Sequence, residues 1–281
     1  MLAPAKVNLF LYVAAPDARG YHPLQSLVMF ADIGDEISLS GNCLFRLRIT
    51  GPFGMNLSAG EDNLVVRAVR RFEAATGVTV MGEMVLSKRL PVASGLGGGT
   101  ADAGAALKLL RDRYVPDMPD SDIEGIAATL GADGAMCLRA RTSIAEGYGE
   151  RLTGIALPSV ACVLVNPGVE CSTPAVYRGL DEMGRFSPLD HGFPAAVNVD
   201  ELVAALKATR NDLQPAAINL QPVIGVVLES LATQPETVLA RMSGSGATCF
   251  ALCRDDAAAQ TLSDRMQVLW PDAWVHAGRL G

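Results

Sequence analysis

The chain has 281 residues, of which 49% are apolar and 19% are charged, and its formal net charge is −7. This composition excludes a disordered chain and supplies enough apolar material for two modest domains. The acidic balance argues against a nucleic-acid partner, which would require a basic face. Such a chain can still bind an anionic small molecule through local backbone N–H groups, cations or a metal ion.

Six cysteines and three histidines are scattered along the chain. No two cysteines form a CxxC pair, and His22, His191 and His276 are far apart, so the sequence predicts no zinc site and we assign no metal ligand. Scattered cysteines are typical of reduced, buried thiols, and we expect a cytoplasmic protein. No apolar stretch is long enough to span a bilayer, so we expect no membrane association.

The first fifteen residues, MLAPAKVNLFLYVAA, have a lysine followed by an apolar run. Odd positions from Ala3 to Leu11 are apolar, whereas Lys6 and Asn8 lie between them. This alternation favours a strand with two faces. A signal peptide is the alternative interpretation.

The first half of the chain mixes strands and helices. A turn over DARGYH follows the N-terminal strand and leads into a strand region, LQSLVMFADIGDEISLS. Helical spacing predicts a helix over EDNLVVRAVRRFEAATG that ends at Gly77, and a strand over VTVMGEMVLSKRLP that Pro91 closes. Further helices are predicted over TADAGAALKLLRDRYV and over SDIEGIAATLG, the latter between Ser121 as N-cap and Gly131 as its stop.

The second half begins with two strand–turn units, SIAEGYGE and VACVLVNPG. The segment PGVECSTPAVYRGLDEMGRFSPLDHGFP is rich in turn formers and is interpreted as a connector or binding loop. Helices over DELVAALKAT, QPVIGVVLESLATQ and DDAAAQTLSDRMQVL surround a glycine turn and strand, MSGSGATCFALC, and a short strand ends the chain. Because the elements do not alternate regularly, we predict an α+β fold with two domains, residues 1–155 and 156–281.

Residues 91–107, PVASGLGGGTADAGAAL, have four glycines between Gly95 and Gly99, immediately before a predicted helix. Glycine allows a positive φ or close approach to a ligand, and a helix N-terminus presents free N–H groups to an anion. The segment lacks the lysine of a P-loop, and Thr100 stands where the dinucleotide fingerprint needs its third glycine. A tight turn without a ligand is the alternative, but each glycine would cost it up to about 1 kcal/mol. We therefore predict a phosphate-binding loop.

Three segments resemble, in order, the motifs of the GHMP kinase superfamily: APAKVNLFLYV, PVASGLGGGTADAGAAL and MSGSGATCFAL. Together with GYHPLQSL, EDNLVVRA and LGAD, the resemblance covers residues 3–252. It implies a two-domain GHMP kinase fold with the active site in the cleft between domains. It also implies transfer of the ATP γ-phosphate to a hydroxyl group, with Mg²⁺.

The GYH turn is similar to that of superfamily members whose acceptor carries a cytosine nucleotide. The resemblance then implies two small-molecule substrates, ATP and a cytidine diphosphate-linked methylerythritol. We expect a monomer or a homodimer. One alternative is another GHMP kinase, acting on mevalonate or homoserine. Others are a non-catalytic nucleotide or sugar sensor on the same scaffold and a simple interaction module.

The resemblance assigns catalysis to Lys6 and Asp133. An ammonium near the acceptor hydroxyl would stabilise developing negative charge, and Asp133 would remove the hydroxyl proton as general base. Without the resemblance, Lys6 reads as a strand lysine reaching to water, and Asp133 as an Asx-turn residue. The family usually continues LGAD with proline and aromatic residues, whereas Gly134 to Cys137 read GAMC here, so the packing behind the base should differ.

The remaining site residues also follow from the resemblance. Asn8 would hold the substrate, Tyr21 and His22 would recognise cytosine, and Thr173 and Tyr177 would complete the pocket, with Tyr177 stacking opposite Tyr21. The residues expected to bind ATP form one run: Pro91, Val92, Ala93, Ser94, Gly95, Leu96, Gly97, Gly98, Gly99, Thr100 and Ala101.

Three further positions complete the predictions. Asp102 would either favour the dipole of the following helix or help to organise Mg²⁺ indirectly. Gly244 and Gly246 are expected to shape a turn beside the phosphate loop.

Overall fold

A computed structural model describes all 281 residues. Strands and helices are mixed along the chain, as the α+β prediction requires. The elements of the first half are β1 (Leu2–Val13), β2 (Leu24–Leu44), β3 (Arg46–Thr50), α1 (Leu64–Thr76), β4 (Met81–Ser87), α2 (Gly98–Tyr114), α3 (Asp120–Ala128), α4 (Gly134–Arg139), β5 (Ser143–Gly147) and β6 (Arg151–Gly154). Those of the second half are β7 (Val160–Asn166), α5 (Thr173–Met183), α6 (Val199–Lys207), α7 (Gln214–Leu220), α8 (Val223–Ala232), β8 (Thr237–Met242), β9 (Cys249–Cys253), α9 (Asp256–Leu269) and β10 (Trp274–Leu280).

The chain forms two compact units, each assembled from separate segments. Unit 1 comprises Met1–Lys6, Ile33–Val92 and Gly97–Ala140, and unit 2 comprises Val7–Asp32, Ala93–Leu96 and Arg141–Gly281. These units are a different partition from the single boundary expected between residues 155 and 156, and that boundary stays a prediction.

Unit 1 combines a small sheet with α1 to α4. The second half of β2 pairs with β4 in antiparallel fashion, and β4 pairs with β3 in parallel. The Asn63 side chain accepts a hydrogen bond from the Val65 N–H and caps α1, which ends at Gly77 in the left-handed conformation, as predicted. Val69 and Phe72 on its inner face are fully buried in the core of this unit.

Helix α2 packs through small residues. Every residue from Ala101 to Leu107 is buried. A Cβ atom on Gly104 would lie 3.0 Å from the backbone of Leu138, which shows how closely α2 and α4 approach. Similarly, a Cβ on Gly134 would lie 2.0 Å from the carbonyl oxygen of Ala127, the last residue but one of α3. These contacts fix the start of α4, and therefore the position of Asp133 immediately before it.

Unit 2 contains an antiparallel sheet in which β7 lies between β9 and β10, and β8 pairs with β9. Every residue of β7 is buried. Helices α8 and α9 pack on this sheet. The first half of β2 pairs with β5, which pairs with β6.

The structure corrects some of the predicted elements. Helix α3 begins at Asp120 with Pro119 as N-cap, so Ser121 is a helical residue, and the helix ends at Ala128, before Gly131. The predicted connector contains α5. Pro174 suits a helix start because its missing N–H is not needed there, and Val176 and Leu180 are buried one turn apart. Helices α4 and α7 were not predicted.

The prediction that the cysteines are mostly buried thiols is confirmed. All six are free, and only Cys43 is exposed. Burial raises the pKa of the Cys137, Cys162 and Cys249 thiols, which keeps them protonated at neutral pH. Among the helices, none combines the length and apolar character needed to cross a bilayer.

Truncation of a core leucine on α2 should destabilise the protein. Leu107 is fully buried, so Leu107→Ala should lower the free energy of unfolding by about 2–5 kcal/mol. Leu44, 81% exposed at the end of β2, provides the control: Leu44→Ala should change it by less than about 0.5 kcal/mol. Urea denaturation measures both, and equal losses would contradict the assigned core.

Candidate active site

The glycine-rich segment forms a turn that runs into α2. Gly95 and Gly97 have left-handed backbones, with φ of 77° and 67°. A Cβ on Gly95 would lie 2.5 Å from the carbonyl oxygen of Ser243, and one on Gly97 would lie 2.7 Å from Lys6 Cγ. Both positions therefore require glycine for conformation and for space.

The other two glycines have a different role. Gly98 and Gly99 are the first residues of α2, and a Cβ on Gly99 would make only an ordinary contact with Leu64, at 3.5 Å. The N–H groups of Gly98, Gly99 and Thr100 lie in the first turn, where a helix provides no carbonyl partner. With the positive end of the helix dipole, these groups form a surface suited to an anion such as a phosphate.

The loop is held by the segment between β8 and β9. The Thr248 N–H donates a hydrogen bond of 3.1 Å to the Ser94 carbonyl, and the Ser243 hydroxyl donates one of 3.1 Å to the Gly95 carbonyl. Gly244 and Gly246 both have positive φ in this segment. The expectation that these two glycines shape a turn beside the glycine-rich loop is confirmed.

Lys6 and Asp133 lie together. Lys6 Nζ is 3.7 Å from Asp133 Oδ2; the lysine side chain is 9% exposed and that of the aspartate 37%. Asp133 occupies the N-cap position of α4, but its side chain makes no capping hydrogen bond. The carboxylate is thus not used for a turn, and it faces an ammonium group whose stem packs against Gly97, the residue before α2.

A buried ionic network lies beneath the start of α2. Lys88 Nζ donates hydrogen bonds to Asp102 Oδ2, at 2.7 Å, and to Asp35 Oδ2. All three residues are at least 96% buried. Asp102 is five residues into α2 rather than in its first turn, and its Oδ1 is buried without a hydrogen-bond partner.

Burial sets the charge balance of this network. Desolvation raises the pKa of Asp102 to about 7; the Lys88 charge opposes that shift and the Asp35 charge adds to it. Burial alone would lower the pKa of Lys88, but its two carboxylate partners outweigh burial and raise it. Sequence reasoning did not assign a role to Lys88 or Asp35. A polar signal existed in Asp102, which stands within a run of alanines and glycine.

The predicted substrate residues lie in unit 2. The Asn8 side chain donates a hydrogen bond to the Ser26 hydroxyl, at 2.8 Å, and its main-chain N–H donates to Ser243 Oγ, at 3.2 Å. The Thr173 and Ser245 hydroxyl oxygens are 2.7 Å apart. Asn8 and Thr173 therefore both contact the turn between β8 and β9.

His22 and Tyr177 are neighbours, with ring centroids 5.2 Å apart. His22 Nδ1 is 2.9 Å from the Ala14 carbonyl oxygen, and Nε2 is 3.2 Å from Asp181 Oδ1. Both ring nitrogens thus face acceptors of the protein itself, which fixes the orientation of the imidazole.

Tyr21 has different neighbours. Its side chain is largely exposed, and its ring meets that of Tyr148 edge to face, with centroids 6.1 Å apart. The Arg19 guanidinium lies over both rings. Arg19 and Tyr148 were not predicted, and the stacking of cytosine between Tyr21 and Tyr177 stays a prediction.

Comparison with known proteins defines the class. Residues 63–140 match the model of the GHMP kinases N terminal domain, and residues 195–272 match that of the GHMP kinases C terminal domain. A homoserine kinase from Cytophaga hutchinsonii shares the fold, with a TM-score of 0.67 and 19% identity over 99% of this chain and 95% of its own. The chain has the fold of a GHMP kinase.

More similar relatives define the family within that class. The 4-diphosphocytidyl-2-C-methyl-D-erythritol kinase of Caulobacter vibrioides (strain NA1000 / CB15N) is 51% identical over 99% of this chain and 98% of its own length. A crystal structure of 4-(cytidine 5'-diphospho)-2C-methyl-D-erythritol kinase has a TM-score of 0.80 and 32% identity, covering 100% of this chain and 98% of its own. The chain belongs to the 4-diphosphocytidyl-2-C-methyl-D-erythritol kinase family and is a phosphotransferase with an alcohol acceptor.

The two kinds of glycine in the loop should respond differently to alanine. Gly95→Ala should lower the free energy of unfolding by at least about 1–2 kcal/mol, because an L-residue is strained at positive φ and its Cβ would overlap a carbonyl oxygen. Gly99→Ala should leave it unchanged or raise it by up to about 1 kcal/mol, since alanine favours a helix. Thermal and urea denaturation of both variants test this; greater damage from Gly99→Ala would contradict it.

Replacement of Asp102 should change how stability depends on pH. The Asp102 carboxyl has a pKa near 3.8 in the unfolded chain and near 7 in the folded protein. Its contribution to the free energy of unfolding is therefore complete below about pH 4 and is lost as the pH rises through about 7. Asp102→Asn removes this loss. The free energy of unfolding of the variant minus that of the parent should therefore increase between pH 5 and pH 8 in urea titrations. A constant difference would show that Asp102 is not protonated in the folded protein near neutral pH.

Proposed function

We propose that the protein transfers the γ-phosphate of ATP to the 2-hydroxyl group of 4-diphosphocytidyl-2-C-methyl-D-erythritol. The names of its relatives support the substrate. The observation that carries the mechanism is the placement of Lys6, which packs on Gly97 at the start of α2 and lies 3.7 Å from Asp133. An ammonium, a carboxylate and a helix N-terminus are thereby adjacent, and together they suit phosphoryl transfer to an alcohol.

In this proposal the N–H groups of Gly98, Gly99 and Thr100 bind ATP phosphate oxygens. The carboxylate of Asp133 accepts the proton of the acceptor hydroxyl as that oxygen forms its bond to the γ-phosphorus and the bond to ADP breaks. The Lys6 ammonium stabilises the negative charge on the transferring group. Because Lys6 is almost fully buried, its charge acts in a region from which most water is excluded.

In this proposal Mg²⁺ would bind together with ATP. In kinases this ion usually binds substrate phosphates and water, with only one or two carboxylates. No group of three His, Cys, Asp or Glu side chains could hold a metal ion here. The chain therefore fits an ion that is held mainly by the nucleotide. When bound, Mg²⁺ would neutralise phosphate charge, and the chain's own residues orient the phosphates and the hydroxyl.

Recognition of the cytidylyl group is assigned to Tyr21, His22, Thr173 and Tyr177, with Asn8 holding the acceptor alcohol. The exposed face of Tyr21 suits stacking on a base. Since both ring nitrogens of His22 face acceptors of the protein, the main chain of the GYH turn is the better candidate to pair with the cytosine edge. The ring then has the role of fixing that turn.

The rival functions have less support. The homoserine kinase shares the fold at 19% identity, which supports no common substrate. A non-catalytic sensor would not need Lys6 and Asp133, yet both are present and adjacent. The cytoplasmic location and the monomeric or homodimeric state stay predictions.

Asp133→Asn should remove most of the activity without loss of ATP binding. A general base typically contributes about 10²- to 10⁴-fold, so kcat should fall by that factor while the Kd for ATP changes less than about threefold. The assay measures ADP release with Mg·ATP and 4-diphosphocytidyl-2-C-methyl-D-erythritol, with mevalonate and homoserine as comparison acceptors.

Asp264→Asn, an exposed change on α9, is the matched control and should retain full activity. Turnover of mevalonate or homoserine by the parent would overturn the proposed acceptor. An active Asp133→Asn variant would overturn the proposed base. A protein that binds ATP but phosphorylates none of the three would favour the sensor.

A further inference from the structure

We propose that Asp35, Lys88 and Asp102 form a clamp that fixes both ends of the phosphate loop, and that these three are positioning residues for ATP. The inference rests on the proposed function of the loop. It goes beyond that function because none of the three is assigned to contact a substrate.

The first end of the loop is held by Asp35. Its Oδ1 accepts hydrogen bonds from the main-chain N–H groups of Arg89, at 2.6 Å, and Leu90, at 2.9 Å. These two residues immediately precede Pro91, where the loop begins. Asp35 is fully buried on β2, so the carboxylate is a rigid anchor for this entry segment. Hydrogen bonds from N–H groups to a carboxylate are among the stronger ones in proteins.

The second end is held by Asp102. It lies one helical turn beyond Gly98 on α2, and its Oδ2 accepts a hydrogen bond from Lys88. A Cβ on Gly98 would lie 3.4 Å from both Lys88 Nζ and Asp35 Oδ2. The network is therefore in direct reach of the first residue of the helix whose N–H groups are proposed to bind phosphate.

Lys88 joins the two anchors. Its side chain is 95% buried and donates hydrogen bonds to both carboxylates. A buried ionic network is costly to form, and hydrophobic residues of similar size often give equal or greater stability. Here the network links the entry segment at residues 89–90 to the exit at residues 98–102. An apolar cluster would fix the relative position of these two segments less precisely.

The net charge of the network distinguishes two ways in which it could affect ATP binding, by positioning the loop or by acting electrostatically on the phosphates. Two carboxylates and one ammonium carry a net negative charge when all are ionised, and negative charge near ATP phosphates disfavours binding. If the network acted only through its electrostatic effect on the ATP phosphates, removal of a carboxylate would tighten ATP binding. If it positions the loop, removal should weaken binding.

Isothermal titration of ATP and of the cytidylyl acceptor, with kcat, tests the clamp in four variants. Asp35→Leu removes the acceptor of the Arg89 and Leu90 N–H groups, whereas Asp35→Asn keeps an oxygen there. Asp102→Ala frees the exit from Lys88, whereas Asp102→Asn keeps an oxygen. We expect each disruptive variant to raise the Kd for ATP about tenfold, the effect of losing charge-assisted hydrogen bonds. The acceptor Kd should change less than twofold, and the asparagine variants should recover most of the ATP affinity.

Each outcome decides the inference. Asp102→Ala leaves Lys88 paired with Asp35, so it provides a folded variant if Asp35→Leu fails to fold. Unchanged or tighter ATP binding by folded Asp102→Ala would overturn the clamp, and so would equal loss of ATP and acceptor affinity. Failure of the parent protein to bind ATP would instead overturn the proposed function of the loop, which the same titration measures first.

Discussion

Close approach between backbones around α2 is the constraint on which the proposed catalytic site depends. Gly104 lets the helix pack against the backbone of Leu138, and Gly134 lets α4 begin against Ala127. At its first end, Gly97 leaves the space that the Lys6 stem fills. A Cβ at Gly97 or Gly134 would require a shift of the segment that carries Lys6 or Asp133. The position of the proposed catalytic pair therefore depends on glycine at these two sites.

The Lys6–Asp133 pair and the Asp35–Lys88–Asp102 network differ in exposure, and this difference suits them to different tasks. The Asp35–Lys88–Asp102 network is almost completely buried, so its partners are fixed and water does not compete for them. Asp133 keeps more than a third of its side chain exposed, and its carboxylate has only a loose contact with Lys6. A rigid network suits the holding of a loop, whereas a base must be able to reach a substrate hydroxyl.

The sequence allowed prediction of features that depend on local chemistry. Helix α1 follows from apolar spacing and a terminal glycine, which lie close together in the sequence. The prediction of a phosphate-binding loop follows from the density of glycine before a helix. The prediction of catalytic roles for Lys6 and Asp133 required the family resemblance, because neither strand periodicity nor a turn motif distinguishes them from ordinary lysines and aspartates.

Other features depend on partners that are distant in the chain. Lys88 is 53 residues from Asp35, and Arg19 is 129 residues from Tyr148, so no spacing rule could bring either pair together. Helix α5 was missed for a different reason. Its serine, threonine and proline are frequent in turns, but they are equally suited to a helix start, and only the burial of Val176 and Leu180 decides between the two.

The departure from the family pattern after Asp133 can be understood in the same terms. The family usually has proline and aromatic residues after the acid, whereas Gly134, Ala135, Met136 and Cys137 stand there in this chain. Gly134 is required by the contact with Ala127, while Met136 and Cys137 fill the interior. The N-cap position of the acid is therefore set by backbone packing of α4 against α3 and α2. Small residues achieve that packing without the bulk of an aromatic ring, so the carboxylate keeps its place beside Lys6 although the side chains behind it have changed.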